Sequence, residues 1–325
     1  MKYRTIGTDP ATRREVSVLS LGAMLMGTQT DEETSFAILD RYVEAGGTFI
    51  DTSNNYAFWV DGTQGGESEA LLGRWRRSRG IGSEVVIATK LGARPLAPGT
   101  SFVDNAEGLS AQVVRESAAA SAQRLGVDRI DLLYAHIEDR ATPLEETVQA
   151  FGELVRDGSV GLLGVSNHRS WRVERARNLA AARGLAGYEV LQYHHTYLRR
   201  RTDVPSRLAQ TGTAGPDLLS YAEENPELAL VAYSPLLAGG YTRADKPLGV
   251  ELDHAGTPPR QEALKQVAAQ TGGTVNQVVL AWLIGAALPV IPLVGASSVA
   301  QLDESLAAVD LDLTEDQRAL LDATN

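Results

Sequence analysis

Two kinds of apolar pattern alternate along this chain. Short runs, apolar and without strict polar alternation, fall at residues 16–22, 47–51, 85–90, 130–136, 160–166, 188–193, 228–233 and 289–294. Between them lie longer stretches whose apolar residues recur at three- and four-residue spacing. Phe36, Ile38, Leu39, Tyr42 and Val43 in the first of these are an example. The short runs read as strands buried on both faces, the longer ones as helices with one core-facing stripe. Local chemistry marks the helix ends. Asp31 and Ser110 stand where N-caps belong, Gly46-Gly47, Gly126 and Gly158 where helices stop, and Pro143 leads acids into a first turn. Helices are thus predicted from Asp31, over 68–79, 110–125 and from Pro143, then over 170–183 and 216–224. Others follow over 260–270 and 275–284, with a last pair over 298–309 and 314–322.

Eight strands alternating with helices in about this length predict an α/β fold, a closed (β/α)8 TIM barrel occupying residues 1–325 as a single domain. The opening residues, to about Arg14, carry turn formers and are expected to make a small N-terminal β-hairpin. An open doubly wound sheet would want Gly-x-Gly-x-x-Gly after an early strand, and that motif is absent. Loops at 92–109, 198–215 and 238–259 are long. In a barrel such loops belong to the C-terminal face, where active sites are built. Residues 278–296 carry no charge and approach a membrane span in length. Gly285, Pro289 and Pro292 interrupt them, so a buried helix followed by a buried strand is expected and no membrane partner.

Composition then narrows the function. Of 325 residues, 43% are hydrophobic and 22% charged, ordinary for a chain that buries a large core. The net charge of −11 repels a phosphate backbone, which argues against a nucleic-acid partner. With no cysteine, disulfides and thiolate chemistry are excluded. The start Met1-Lys-Tyr-Arg-Thr-Ile-Gly7 lacks the apolar core of a secretion signal, so a cytoplasmic location is expected. A homo-oligomer is left open. The histidines offer no metal site: His194 and His195 are adjacent in an extended run and face opposite ways, and His168 and His254 lie in loops without ligand spacing. The arginines at 199–201 and the pair Glu223-Glu224 read as surface charge.

Three successive strands end in groups that suit one another. The run to Asp51 breaks into Ser-Asn-Asn and presents Tyr56; the next ends in Lys90, and the one after at His136. Barrel strands are parallel, so these ends share a rim. An ammonium beside a phenol stabilises phenolate and lowers its pKa from about 10. Asp51 would hold the ammonium charged, and a neutral His136 could direct a carbonyl oxygen toward the phenol. That set suits protonation of a carbonyl oxygen as hydride reaches its carbon, and hydride implies a nicotinamide cofactor.

At these residues the chain resembles the aldo-keto reductase superfamily. The matching stretches are Asp51-Thr-Ser-Asn-Asn-Tyr56, Ala88-Thr-Lys90, Asp131-Leu-Leu-Tyr-Ala-His136, Thr142-Pro-Leu-Glu-Glu-Thr, Gly164-Val-Ser-Asn167 and Gln192. They continue with Tyr233-Ser-Pro-Leu236 and Gly295-Ala-Ser-Ser-Val-Ala-Gln-Leu-Asp-Glu304. The last is similar to the branch holding bacterial reductases and potassium-channel β subunits. The resemblance implies an NADP(H)-dependent reductase of a small or sugar-like aldehyde or ketone, with Tyr56 as general acid and Asp51, Lys90 and His136 as its partners. It implies that Ser166, Asn167 and Gln192 bind the carboxamide and that Tyr233 stacks on nicotinamide. Ser234, Leu236 and Arg243 would line the pyrophosphate, and Gly295, Ser297, Gln301, Glu304 and Ser305 the adenosine end. Gly22, Ala23 and Met24, at the first strand end, complete the cofactor side. Two departures bear on this. No basic residue lies in 294–302, so NAD(H) stays open beside NADP(H), with Arg260 the expected partner of a 2′-phosphate. The enlarged turn after Tyr56 brings Phe58 and Trp59, which with Met24 either wall the substrate pocket or pack the loop. The channel-subunit likeness leaves a second reading, a cofactor-binding regulatory subunit with little turnover.

Overall fold

The structure is a computed structural model that describes residues 1–60, 62–97, 105–201, 203–204 and 212–323. Strands β1 (Tyr3–Ile6) and β2 (Arg14–Ser17) form an antiparallel hairpin. The barrel begins with β3 (Ser20–Gly22), α1 (Glu32–Glu44), β4 (Phe49–Asp51), α2 (Glu67–Arg79), β5 (Val86–Leu91) and α3 (Ala111–Leu125). It continues through β6 (Ile130–Ala135), α4 (Leu144–Arg156), β7 (Val160–Ser166), α5 (Ser170–Ala181), β8 (Val190–His194), α6 (Pro216–Glu224) and β9 (Ala229–Tyr233). Then come α7 (Thr257–Thr271), α8 (Val275–Ile284), β10 (Val290–Gly295), α9 (Val299–Ala307) and α10 (Glu315–Ala323). Strands β3 to β10 pair in parallel in chain order, and β10 returns to pair with β3, closing an eight-stranded ring.

The helix signals act as read. Asp31 accepts from the Thr34 amide, Ser110 from the Val113 amide, and Thr274 with Gln277 forms a capping box on α8. Inside the ring, Phe49, Ala88, Leu132, Tyr134, Leu162, Val190, Val231 and Ile291 pack together, with Ile6 and Val16 of the hairpin closing the floor. Inward side chains alternate along each strand, so the last inward residue of a strand stands at the C-terminal mouth.

The run 16–22 is not one strand. Its first half pairs with β1 and its second half joins the barrel. Between them Ser17 Oγ donates to Leu19 O and meets Tyr42 Oη at 2.8 Å, which fixes the turn. An unbroken apolar run hides such a corner. The uncharged stretch 278–296 resolves into the end of α8 and the whole of β10, and among the described residues no helix is long and apolar enough to cross a membrane.

Candidate active site

Register places the three strand-end groups. Asp51 pairs with Ala88 and Lys90 with Tyr134, so Asp51, Lys90 and His136 rise in steps along neighbouring strands. Lys90 is wholly buried and ion-paired to the equally buried Asp51. Its Nζ also donates to Thr52 O at 2.8 Å and to Tyr56 Oη at 3.3 Å. Gln192 Nε2 donates to the second oxygen of Asp51 at 2.7 Å. The Tyr56 and His136 rings lie edge to face, 6.0 Å apart.

Burial works against an ammonium here, but Asp51 and Tyr56 beside it hold the Lys90 pKa above the usual lysine value. For Tyr56, burial pushes the phenol up and Lys90 pulls it back only in part, leaving a net rise. The expected lowering of the phenol pKa is therefore not met in this state: desolvation outweighs the neighbouring cation. Burial and then the Lys90 charge push His136 well below the ordinary histidine range, so its ring is neutral at pH 7.

The carboxamide candidates form one chain along the rim. Ser166 Oγ donates to Gln192 O at 2.8 Å. Asn167 Nδ2 donates to His136 O and to Ser166 Oγ, both at 3.0 Å, and Tyr233 Oη donates to Asn167 Oδ1 at 3.0 Å. Tyr233 is half-buried at the mouth, and Leu236 packs against the core beside it. Among the described residues, the non-glycine ones in the left-handed region are Asn167, Ser234, Leu237 and Ala238, all in the rim loops after β7 and β9. Strained backbone of this kind gathers at ligand sites. Gly22 ends β3 and Ala23 follows it, with its amide on Asp51 O, while Met24 is 42% exposed. Gly295 opens to space and Ser297 is exposed. Gln301 accepts from the Ser297 amide at 2.8 Å.

Other candidates sit differently. Arg243 is exposed and ion-paired with Asp245. Glu304 accepts from Thr274 Oγ1 at 2.8 Å, tying α9 to α8, and Ser305 is buried with its hydroxyl on Gln301 O. Arg260 is 3% exposed, its guanidinium 4.2 Å from the Tyr197 ring centre and its Nε on Tyr197 O. It packs within α7, and its expected part at a 2′-phosphate stays a proposal. Arg200 is also no surface charge: its side chain is 9% exposed and ion-paired with Glu251. Trp59 is 47% exposed, edge-on to Tyr56 at 6.3 Å and to Phe58 at 5.1 Å.

Sequence reasoning missed Ser53, whose Oγ lies 3.1 Å from His136 Nδ1, although it stands inside the quoted turn. It also missed Glu107, which holds Asn54 Nδ2 at 2.8 Å and the Gly92 amide at 2.7 Å, binding the loop after β5 to the turn after β4. Such a loop-to-loop carboxylate leaves no periodic trace. His194 and His195 do face opposite ways, toward Tyr233 and Trp282 respectively. Among the described residues no cluster of three His, Asp or Glu could hold a metal ion.

A family model described as the aldo/keto reductase family matches residues 18–325. The chain is 31% identical to the uncharacterized oxidoreductase YrpG of Bacillus subtilis, over 97% of this chain and 93% of that protein. It is 31% identical to norsolorinic acid reductase A of Aspergillus parasiticus, over 95% of this chain and 78% of that protein. To an aryl-alcohol dehydrogenase of Pestalotiopsis microspora it is 28% identical, over 94% of this chain and 78% of that protein.

Proposed function

Because this chain belongs to the aldo/keto reductase family, we propose that it reduces an aldehyde or ketone to the alcohol with NADP(H), Tyr56 acting as general acid. The observation that carries the reading is the Lys90 ammonium, bound to Asp51 and 3.3 Å from the Tyr56 hydroxyl. Tyr56 gives its proton to the carbonyl oxygen, and Lys90 stabilises the phenolate that remains until solvent returns a proton. Asp51 and Gln192 keep Lys90 charged and aimed. The cofactor supplies hydride to the carbonyl carbon. Ser166, Asn167 and Gln192 would hold its carboxamide, Tyr233 its ring, and Ser234, Leu236 and the Gly295–Ser297 loop its phosphates and adenosine.

The strained turns after β7 and β9 and the open Gly295 loop support this placement, since backbone of that kind gathers at ligand sites. NADP(H) remains the first choice, with the preference over NAD(H) expected to be small because no basic residue lies in 294–302. Trp59, exposed and edge-on to Tyr56, offers an aromatic surface that suits an aromatic carbonyl better than a sugar. The names of two relatives, norsolorinic acid reductase and aryl-alcohol dehydrogenase, agree with that choice.

Tyr56→Phe should lower kcat on an aromatic aldehyde by about 10²–10⁴-fold, with NADPH affinity, read by its fluorescence, unchanged. Loss of NADPH binding together with activity would reject the assignment.

A further inference from the structure

A second cleft lies at the floor of the barrel, on the side the hairpin closes, at the end opposite the mouth. Strand β1, the C-terminal end of α8, residues 308–312 and α10 enclose about 300 Å³ there. Its apolar wall is Val18, Ile284, Val309 and Leu311. Its charged side chains are Lys2, Arg4 and Arg318 against one carboxylate, Asp312. Two surplus positive charges thus share one cleft on a chain whose net charge is −11.

The plainer account is that both arginines cap α8, whose C-terminal end carries about half a negative charge. Arg4 Nη2 does donate to Ile284 O, and Arg318 reaches Trp282 O at 3.4 Å and Ala281 O at 3.3 Å. Capping spends one donor of Arg4 and two of Arg318, and leaves most of each fork over. It also offsets only part of one charge. Arg4 Nη1 is buried with no hydrogen-bond partner, and among the described residues neither guanidinium forms an ion pair. No acid counters the burial of Arg4, which pulls its pKa below the usual arginine value. Lys2 meets Asp312 at 2.9 Å, but on side chains 50% and 87% exposed, so solvent screens that pair. At Gly285 an added Cβ would come within 1.8 Å of Arg318 Nη2, so glycine is what seats this guanidinium against the helix end.

A buried donor without an acceptor is costly, and guanidinium forks match the paired oxygens of a carboxylate or phosphate. The cleft is roomier than an inorganic ion needs and its wall is apolar, so the ligand has an organic body. We infer that this cleft is a second binding site, for a small organic dianion, a phosphate monoester or a dicarboxylate, whose oxyanion groups meet Arg4 and Arg318. It shares no residue with the proposed reductase site and stands or falls independently of it.

The test is calorimetric titration of the full chain with phenyl phosphate and with phthalate, NADP⁺ being present in excess to cover phosphate positions at the mouth. Inorganic sulfate at matched ionic strength and neutral benzamide are the controls. At least one probe should bind more tightly than both controls, and the tighter of the two tells phosphate ester from dicarboxylate. Arg4→Gln and Arg318→Gln should each weaken it about tenfold or more. Asp312→Asn, which removes the one repelling carboxylate, should strengthen it about two- to fivefold. Should Arg4→Gln not fold, Lys2→Glu on an exposed side chain reverses a charge at the edge of the cleft and should weaken binding about threefold or more. Tyr56→Phe should leave the affinity unchanged. No binding, binding no tighter than sulfate, or an affinity indifferent to the arginines overturns the proposal. So does an affinity lost in Tyr56→Phe, which would put the probes at the mouth.

Discussion

Lys90 keeps a charge in the wholly buried interior because three oxygens surround it: Asp51, Thr52 O and Tyr56. Removing one partner of such a pair strands the other. Lys90→Met should cost about 3–5 kcal/mol of unfolding free energy, because Asp51 is left as an unpaired buried carboxylate. It should also reduce kcat by about 10²–10⁴-fold, because the phenolate loses its cation. Adding Asp51→Asn to Lys90→Met separates the two effects. Denaturant titration should then recover most of the stability, while the rate stays low. Recovery of turnover in the double variant would show that Lys90 serves the fold and not the proton donor. At this scale the sequence could order the groups but not weigh them. That Asp51, Lys90, His136 and Tyr56 share a rim follows from parallel strands. That burial overrides Lys90 at the phenol, and that Ser53 holds the imidazole, depends on distances no spacing encodes.

Among the elements, those with both a periodic stripe and a cap were legible to within a few residues. The 275–284 helix, with its Thr274–Gln277 capping box, and the 160–166 strand lie where the apolar pattern puts them. The run 16–22 misled because a corner between two strands needs only one well-placed hydroxyl, Ser17, and leaves the apolar pattern intact. Arg200 misled for the complementary reason: a long side chain can be buried beside an acidic neighbour far away in sequence. Sequence propensity also fails at Gly73, in the middle of α2. In an exposed helix, alanine there would gain about 1 kcal/mol. Here an added Cβ would come within 2.2 Å of Arg124 O, at the end of α3. Gly73→Ala should therefore destabilise by about 1–3 kcal/mol, as overpacking does, and lower the thermal midpoint. A raised midpoint would mean that α2 and α3 can part at no cost.

Over the whole molecule, three histidines outside the catalytic set couple stability to pH. Burial lowers His168 to about 4, His194 to about 3 and His195 to about 4. In the unfolded chain each titrates near 6.5. Between about pH 6.5 and 4 the unfolded state thus binds more protons than the folded one, so stability rises with pH across that window and is lost on acidification. Each group can contribute up to about 1.4 kcal/mol per pH unit, together about 4. Urea midpoints measured at pH 7, 6 and 5 should fall accordingly. A midpoint that is flat from 7 to 5 would show these rings to be solvated.

The ring of strands has a seam, and its two sides are distant in the chain: Ser20 to Gly22 of β3 lie against Leu293 to Gly295 of β10, about 270 residues later. During synthesis at about 5–20 residues per second, β3 therefore waits some 15–50 s for its neighbour, with one edge unpaired. That β3 is only three residues long is then more than an economy of geometry. A nascent chain offering so short an edge gives other chains on the same polysome little to zip onto.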